Sequence, residues 1–118
     1  MRKVFVTGGS GYIGSVVVKR LVERGYEVVV FDNLERGHRE NLDTANMSLI
    51  VGDLRNSEEI KQAMLAVKPD AVIHFAAYAL VGESMVNPTM YFENNVKGGV
   101  NLLCAMAMAN CDRIIFSS

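Results

Sequence analysis

Near its amino end the chain reads Val4-Phe5-Val6-Thr7-Gly8-Gly9-Ser10-Gly11-Tyr12-Ile13-Gly14: an apolar run, a glycine-rich turn, then a helical period. The glycines fit G-x-G-x-x-G (Gly9, Gly11, Gly14) or T-G-x-x-G-x-x-G (Thr7, Gly8, Gly11, Gly14). Both patterns predict the same chemistry. A turn without Cβ atoms lets the backbone come close to a diphosphate. A helix that opens there aims free N–H groups and its positive dipole end at the phosphate charge. Asp32 stands 21 residues past Gly11, about where a carboxylate accepts from both hydroxyls of an adenosine ribose. That carboxylate would repel a 2′-phosphate and so favours NAD over NADP, a preference that Arg36 and Arg39 weaken. The alternative is a tight strand–helix turn that holds no ligand. Asp53 can accept from an adenine amino group, with Leu54 packing on the ring, or can serve as a turn residue at a helix entry.

The elements that must position these residues alternate. Residues 3–7 read as a short, buried, β-branched strand. A helix is predicted over 12–24, with Ile13, Val16, Val17 and Leu21 on one face and Gly25 just past its end. Its valines are mediocre helix formers, so packing against a sheet must hold it. Residues 27–31 make a nearly all-apolar strand, suited to cover on both faces, with Asp32 at its carboxyl end. The polar stretch 33–47 reads as a loop with a short helical turn near 39–43, before a third strand at 48–51 that Gly52-Asp53 ends. Asn56 or Ser57 caps a second helix with Glu58 and Glu59 in its first turn. Ile60, Ala63, Met64 and Val67 form its apolar stripe, and Pro69 stops it. A fourth strand covers 71–74. Asn87-Pro88 starts a long helix that reaches Ala109. Gly98 and Gly99 inside it cost about 1 kcal/mol each relative to alanine, which implies a close approach there. The fifth strand is 113–116.

This alternation predicts an α/β fold: a Rossmann-type doubly wound parallel sheet of about five strands, in one domain over 1–118. By analogy with dinucleotide-binding folds the strand order is 3-2-1-4-5, and the ligand crevice lies between strands one and four, outside their carboxyl ends. The glycine turn, Asp32-Asn33, Asp53-Leu54 and Phe75–Ala79 then share one rim.

Composition narrows the function. Net charge is −1 with both signs interspersed, so there is no basic stripe for nucleic acid. No apolar run approaches the ~20 residues of a membrane span. The run Val4–Val6 behind Arg2-Lys3 is too short for a signal peptide. Cys104 and Cys111 are too few for a zinc cluster or disulfide framework and read as reduced, buried thiols of a cytoplasmic protein. His74 ends a buried strand without a paired nucleophile or carboxylate and is read as non-catalytic; His38 reads as solvated, and Met106 and Met108 as core filling. No residue set here marks a metal site.

The motifs together resemble the extended short-chain dehydrogenase/reductase family and, within it, the UDP-glucose 4-epimerases. The resemblance spans all 118 residues. It rests on Val6 through Ser15, Asp32-Asn33-Leu34 with Gly37-His38, Gly52-Asp53-Leu54-Arg55, His74-Phe75-Ala76-Ala77, Val81-Gly82-Glu83-Ser84, and Tyr91 through Val96. It implies that Tyr12 and Ile13 donate near the diphosphate of NAD, behind Gly8, Gly11 and Gly14. Asp32 and Asn33 would take the adenosine ribose with Leu34 alongside, and Asp53 and Leu54 would border the adenine. Phe75, Ala76, Ala77 and Tyr78 would line the nicotinamide half, and Asn94 would also contact the cofactor. Ala79 stands where some epimerases carry a lysine, so that contact is lost.

Members of this family are roughly two to three times longer. They use a Tyr-x-x-x-Lys pair and a Ser or Thr just after strand five. The tyrosine is the base on the sugar 4-hydroxyl, and the lysine's charge lowers its pKa. Here Tyr12, Tyr26, Tyr78 and Tyr91 are followed four residues on by Val16, Val30, Gly82 and Asn95, and none is lysine. The sequence ends at Ser117-Ser118, one position before the expected hydroxyl residue. The expectation is therefore the NAD-binding portion of such an enzyme, truncated after strand five and inactive alone, with no catalytic residue of its own. UDP-sugar would bind only to the full-length protein. Strand five becomes an open edge beside a bare apolar face, which favours self-association or marginal stability. The family's homodimer pairs the long helix with a helix beyond this sequence. The alternatives are a fragment of a sugar-nucleotide dehydratase or uronate epimerase, or a stand-alone NAD(H)-binding module.

Overall fold

Along each strand successive side chains point to opposite sides of the sheet, so a run of branched apolar residues feeds two cores at once. The computed structural model describes residues 2–9, 12–34, 46–75 and 96–116. In chain order the elements are β1 (Lys3–Thr7), α1 (Tyr12–Glu23), β2 (Glu27–Asp32), β3 (Ser48–Val51), α2 (Ser57–Val67), β4 (Ala71–His74), α3 (Gly98–Met108) and β5 (Ile114–Phe116). The strands form one sheet of order β3-β2-β1-β4-β5, with every neighbouring pair parallel. β1 is central: Val6 lies opposite Val30 of β2 and Ile73 of β4. The topology expected from the alternation is the one observed. The short turn near 39–43 and the start of the long helix at Asn87-Pro88 lie outside the described residues.

Val4, Val6, Val28 and Val30 turn to one face, where Val18 of α1 covers them. Phe5, Val29, Phe31 and Val72 turn to the other, under Ile60, Ala63 and Met64 of α2 and Leu102, Ala105 and Met106 of α3. Phe5 and Phe31 stack there with ring centroids 5.9 Å apart. Asn56 caps α2: its side-chain oxygen accepts from the N–H groups of Glu58 and Glu59 at 3.1 and 3.2 Å. At the other end Lys68 takes a left-handed conformation and its N–H returns to the Met64 carbonyl, just before Pro69.

Several expectations are corrected. The buried face of α1 is not that of Ile13 and Val16, which are 64% and 49% exposed, but that of Gly14 and Val18 with Leu21 and Val22 partly buried behind them. Gly14 must face the β1 turn, and residues four and seven or eight positions on follow it around the helix. Within α3 the close approach is at Gly98, where an added Cβ would sit 3.1 Å from the Leu54 Cβ; Gly99 has no such neighbour within 4 Å. Cys111 is buried, but Cys104 is exposed, because it lies on the side of α3 away from Leu102 and Met106. Met106 fills the core, whereas Met108 is exposed, as are Val96, Val100 and Leu103. β5 pairs only with β4 among the described residues, and its Ile115 and Phe116 are exposed.

His74 is buried, opposite Thr7 in the β1–β4 register, with its Nδ1 hydrogen-bonded to the Thr7 hydroxyl and its ring edge-on to Phe116. Burial lowers its pKa below the ordinary 6.5 by disfavouring the charged form. Above that pH the group is neutral whether folded or unfolded and contributes no pH dependence. Below it the unfolded chain takes up a proton that the folded chain refuses, so stability falls by up to about 1.4 kcal/mol per pH unit until the folded pKa is reached. Urea denaturation between pH 7.5 and 5.5 is expected to show this slope in the wild type and to lose most of it in His74→Gln. In the same measurement at neutral pH, Asn56→Ala is expected to cost about 1 kcal/mol through loss of the α2 cap.

Candidate functional site

Three backbone hydrogen bonds carry the sheet one residue past its strands and keep the exits level. The Gly8 N–H donates to the Phe31 carbonyl (3.0 Å), the Phe75 N–H to the Thr7 carbonyl (2.8 Å) and the Gly52 N–H to the Asp32 carbonyl (3.1 Å). The glycine turn, Asp32-Asn33, Asp53-Leu54 and Phe75 thus emerge side by side at the carboxyl edge, as their places after successive strands require.

The first exit is built by close approach. Gly8 has φ of 77°, a left-handed conformation that side chains resist. A Cβ on Gly14 would lie 2.5 Å from the Gly8 carbonyl oxygen and 3.0 Å from the Gly9 Cα. Only glycine lets α1 start this tightly against the strand exit. The first-turn N–H groups of α1, which have no partner within the helix, belong to this close-packed end, and the Ile13 side chain there is exposed. The glycine turn thus forms a cradle against the helix start, of the kind that suits the diphosphate of a dinucleotide. Gly11, Ala76, Ala77, Tyr78 and Asn94 lie outside the described residues.

At the second exit Asp32 is 8% exposed, and its Oδ1 accepts from the Leu34 N–H at 2.7 Å. That bond closes a tight turn in which Leu34 has φ of 65°, unusual for a branched residue and costing about 1–2 kcal/mol. Asn33 is half-buried, and its side chain bonds to the Asp53 carboxylate at the third exit, joining two parts of the rim.

Asp53 is held by Arg55. The Arg55 N–H donates to Oδ1 at 2.9 Å, Nε lies 3.0 Å from Oδ1 and 3.2 Å from Oδ2, and Nη2 lies 2.6 Å from Oδ2. The Arg55 side chain holds the Asp53 carboxyl below its ordinary pKa, against an opposing push from burial. The Asn56 N–H donates to the Asp53 carbonyl at 3.0 Å, so the residue also makes the turn into α2. Its two readings from the sequence are therefore compatible. Leu54 is only 5% exposed and sits in the core against Gly98, so it meets the rim through its backbone rather than its side chain. Its carbonyl accepts from Asn101 Nδ2 of α3 at 2.8 Å. Phe75 is half-buried against the α1-side core.

The sequence names Arg55 only as the last residue of the Gly52–Arg55 segment, with no role of its own, and gives Asn101 none. Arg55 gave a weak signal, since charges two apart in a turn belong to no helical or strand pairing rule. Asn101 gave a clearer one, as the lone amide in the otherwise apolar run of α3. Elsewhere, a groove of about 520 Å³ lies at the opposite end of the sheet, bordered by Arg2, Tyr26, Asp70 and Arg113, away from the motif residues. Among the described residues no three His, Cys, Asp or Glu side chains gather where a metal could bind. No helix there is long and apolar enough to cross a membrane.

Comparison with known proteins agrees with this geometry. The profile of the NAD dependent epimerase/dehydratase family matches residues 4–118. UDP-glucose 4-epimerase 3 of Oryza sativa subsp. japonica is 44% identical over 125 residues, which cover 98% of this chain and 34% of that protein. A UDP-glucose 4-epimerase of Klebsiella pneumoniae is 43% identical over 98% of this chain and 88% of its own length. The crystal structure of the Thermus thermophilus UDP-glucose 4-epimerase complex with NAD superposes with a TM-score of 0.94 at 41% identity, over 98% of this chain and 37% of that one. Except for the Klebsiella protein, the chain spans about a third of the length of these relatives. With the sheet order, the glycine cradle and the family profile in agreement, the chain belongs to the NAD-dependent epimerase/dehydratase family.

Proposed function

We propose that this chain holds NAD for the interconversion of UDP-glucose and UDP-galactose, as the cofactor-binding portion of a cytoplasmic UDP-glucose 4-epimerase, and that the 118 residues alone do not complete the reaction. The observation that carries the reading is the close approach of Gly14 to the Gly8 carbonyl, which brings the start of α1 against the exit of β1 and admits no side chain between them. The names of the most similar proteins and of the NAD-bound Thermus structure support the choice of cofactor and reaction.

In this reading the α1 amides at Tyr12 and Ile13, with Gly8, Gly11 and Gly14, hold the diphosphate. Asp32 and Asn33 take the adenosine ribose beside Leu34, and Asp53 and the Leu54 backbone take the adenine. Phe75, Ala76, Ala77, Tyr78 and Asn94 border the nicotinamide end. Bound NAD supplies a hydride acceptor for transient oxidation at the sugar C4. The chain's own residues bind and orient it. The base for the 4-hydroxyl is not among them, because no tyrosine here is followed by lysine four residues on.

Titration calorimetry with the purified chain is expected to show NAD binding, with NADP at least about tenfold weaker because Asp32 faces the 2′-position. Asp32→Asn is expected to weaken NAD about ten- to a hundredfold, the worth of a hydrogen bond to a charged group, and to narrow the gap to NADP. Absence of NAD binding by the folded wild type overturns the proposal. Separately, chain incubated with NAD and UDP-galactose is expected to yield no UDP-glucose; any turnover above a no-protein control contradicts the inactivity.

A further inference from the structure

The turn carrying Asp53 is held from two directions. α3 reaches it through Asn101, which donates to the Leu54 carbonyl, and through Gly98, whose bare Cα admits the Leu54 side chain. Arg55 reaches the carboxylate itself, through its backbone N–H and its guanidinium fork. The two ties differ in kind. Asn101 fixes the backbone and leaves the carboxylate alone, whereas Arg55 fixes the carboxylate.

The Arg55 tie is poorly explained as a stabilising device. Both side chains remain partly exposed, 28% for Arg55 and 27% for Asp53, and an exposed ion pair contributes little. What a planar fork does well is set the plane of the carboxylate it grips. A carboxylate offers about four acceptor positions. The Arg55 amide and fork account for three of them; the Asn33 side chain also bonds to the carboxylate, and by this count only the last position is left to it. An amino group brought to the rim would compete with Asn33 for that last position, whose direction Arg55 has fixed.

We propose that Arg55 is a positioning residue for adenine recognition, acting through Asp53: its fork sets the plane of the carboxylate, so that the acceptor position contested by Asn33 is aimed at the 6-amino group of a bound adenine. This rests on the reading of the rim as an NAD site, and it adds a residue that itself need not touch the dinucleotide. It makes the discrimination of the purine base, rather than overall affinity, the quantity that Arg55 controls.

The test compares NAD with nicotinamide hypoxanthine dinucleotide, which carries a carbonyl in place of the 6-amino group. Dissociation constants are measured by calorimetry for the wild-type chain, Arg55→Met, Arg55→Lys and Asn101→Ala, each confirmed as folded by circular dichroism. The wild type is expected to prefer NAD by about tenfold, the scale of one charge-assisted hydrogen bond. In Arg55→Met and in Arg55→Lys, which keeps the charge but loses the fork, the preference is expected to fall to about twofold or less. Asn101→Ala loosens the same turn and is expected to weaken both ligands alike, leaving the ratio unchanged. Retention of the wild-type ratio in whichever Arg55 variant folds overturns the inference, as does an equal loss of ratio in Asn101→Ala. A wild type that binds both dinucleotides equally overturns the inference and leaves the NAD reading standing, whereas a wild type that binds neither removes both.

Discussion

How near α1 can come to the exit of β1 governs the rest of this molecule. With Gly14 pressed against the Gly8 carbonyl, no room is left for even a methyl group between helix and turn. That contact sets two things at once. It brings the first-turn amides of α1 to the sheet's carboxyl edge, where they can meet an anion. It also fixes the helix's rotation, so that Val18, one turn on from Gly14, enters the core over Val4, Val6, Val28 and Val30. The place of the helix start and the packing on this side of the sheet are consequences of one steric limit. A helix rich in valine has little tendency to form alone, so the core contact is also what makes the binding end exist.

On the opposite face the coupling runs through α3. Its buried residues, Leu102, Ala105 and Met106, pack over the sheet with α2, while Gly98 and Asn101 at its amino end grip the turn after β3. The rim is thus shaped from both layers: its glycine turn by α1, its Asp53 turn by α3 and α2. The backbone bonds past the strand ends keep these parts level, so that neither layer can shift without tilting the rim.

Much of this was legible beforehand, for identifiable reasons. Strands β1 to β4 are short branched runs closed by glycine, aspartate or histidine, and in a buried parallel sheet such runs admit few other readings. The α2 cap and stripe were equally plain. The face of α1 was misread because Ile13, Val16, Val17, Val18, Leu21 and Val22 surround the helix with apolar surface, so periodicity cannot choose among faces. The choice is made by the contact at Gly14, which is tertiary. Leu54 looked ring-facing because it follows Asp53, but the space opened by Gly98, 44 positions later in the chain, draws its side chain into the core. The role of Arg55 escaped notice because its partner lies two residues away in a turn, where no periodic rule applies.

Two ionisable groups among the described residues, His74 and Asp53, illustrate how the carboxyl edge is graded in depth. Burial acts on both His74 and Asp53, and in each it disfavours charge. One strand position below the rim, between β1 and β4, His74 has the Thr7 hydroxyl for a partner. A neutral hydroxyl does little to offset the loss of water around an imidazolium, so desolvation prevails and the ring stays uncharged. At the rim Asp53 has a guanidinium fork, an amide N–H and the Asn33 side chain, and these outweigh the weaker burial there. The same physical term therefore leaves a neutral floor at the switch point and a fixed anion at its edge. That gradation has two origins: the parallel register sets the Thr7–His74 pair, and the turn after β3 sets the Asp53–Arg55 pair.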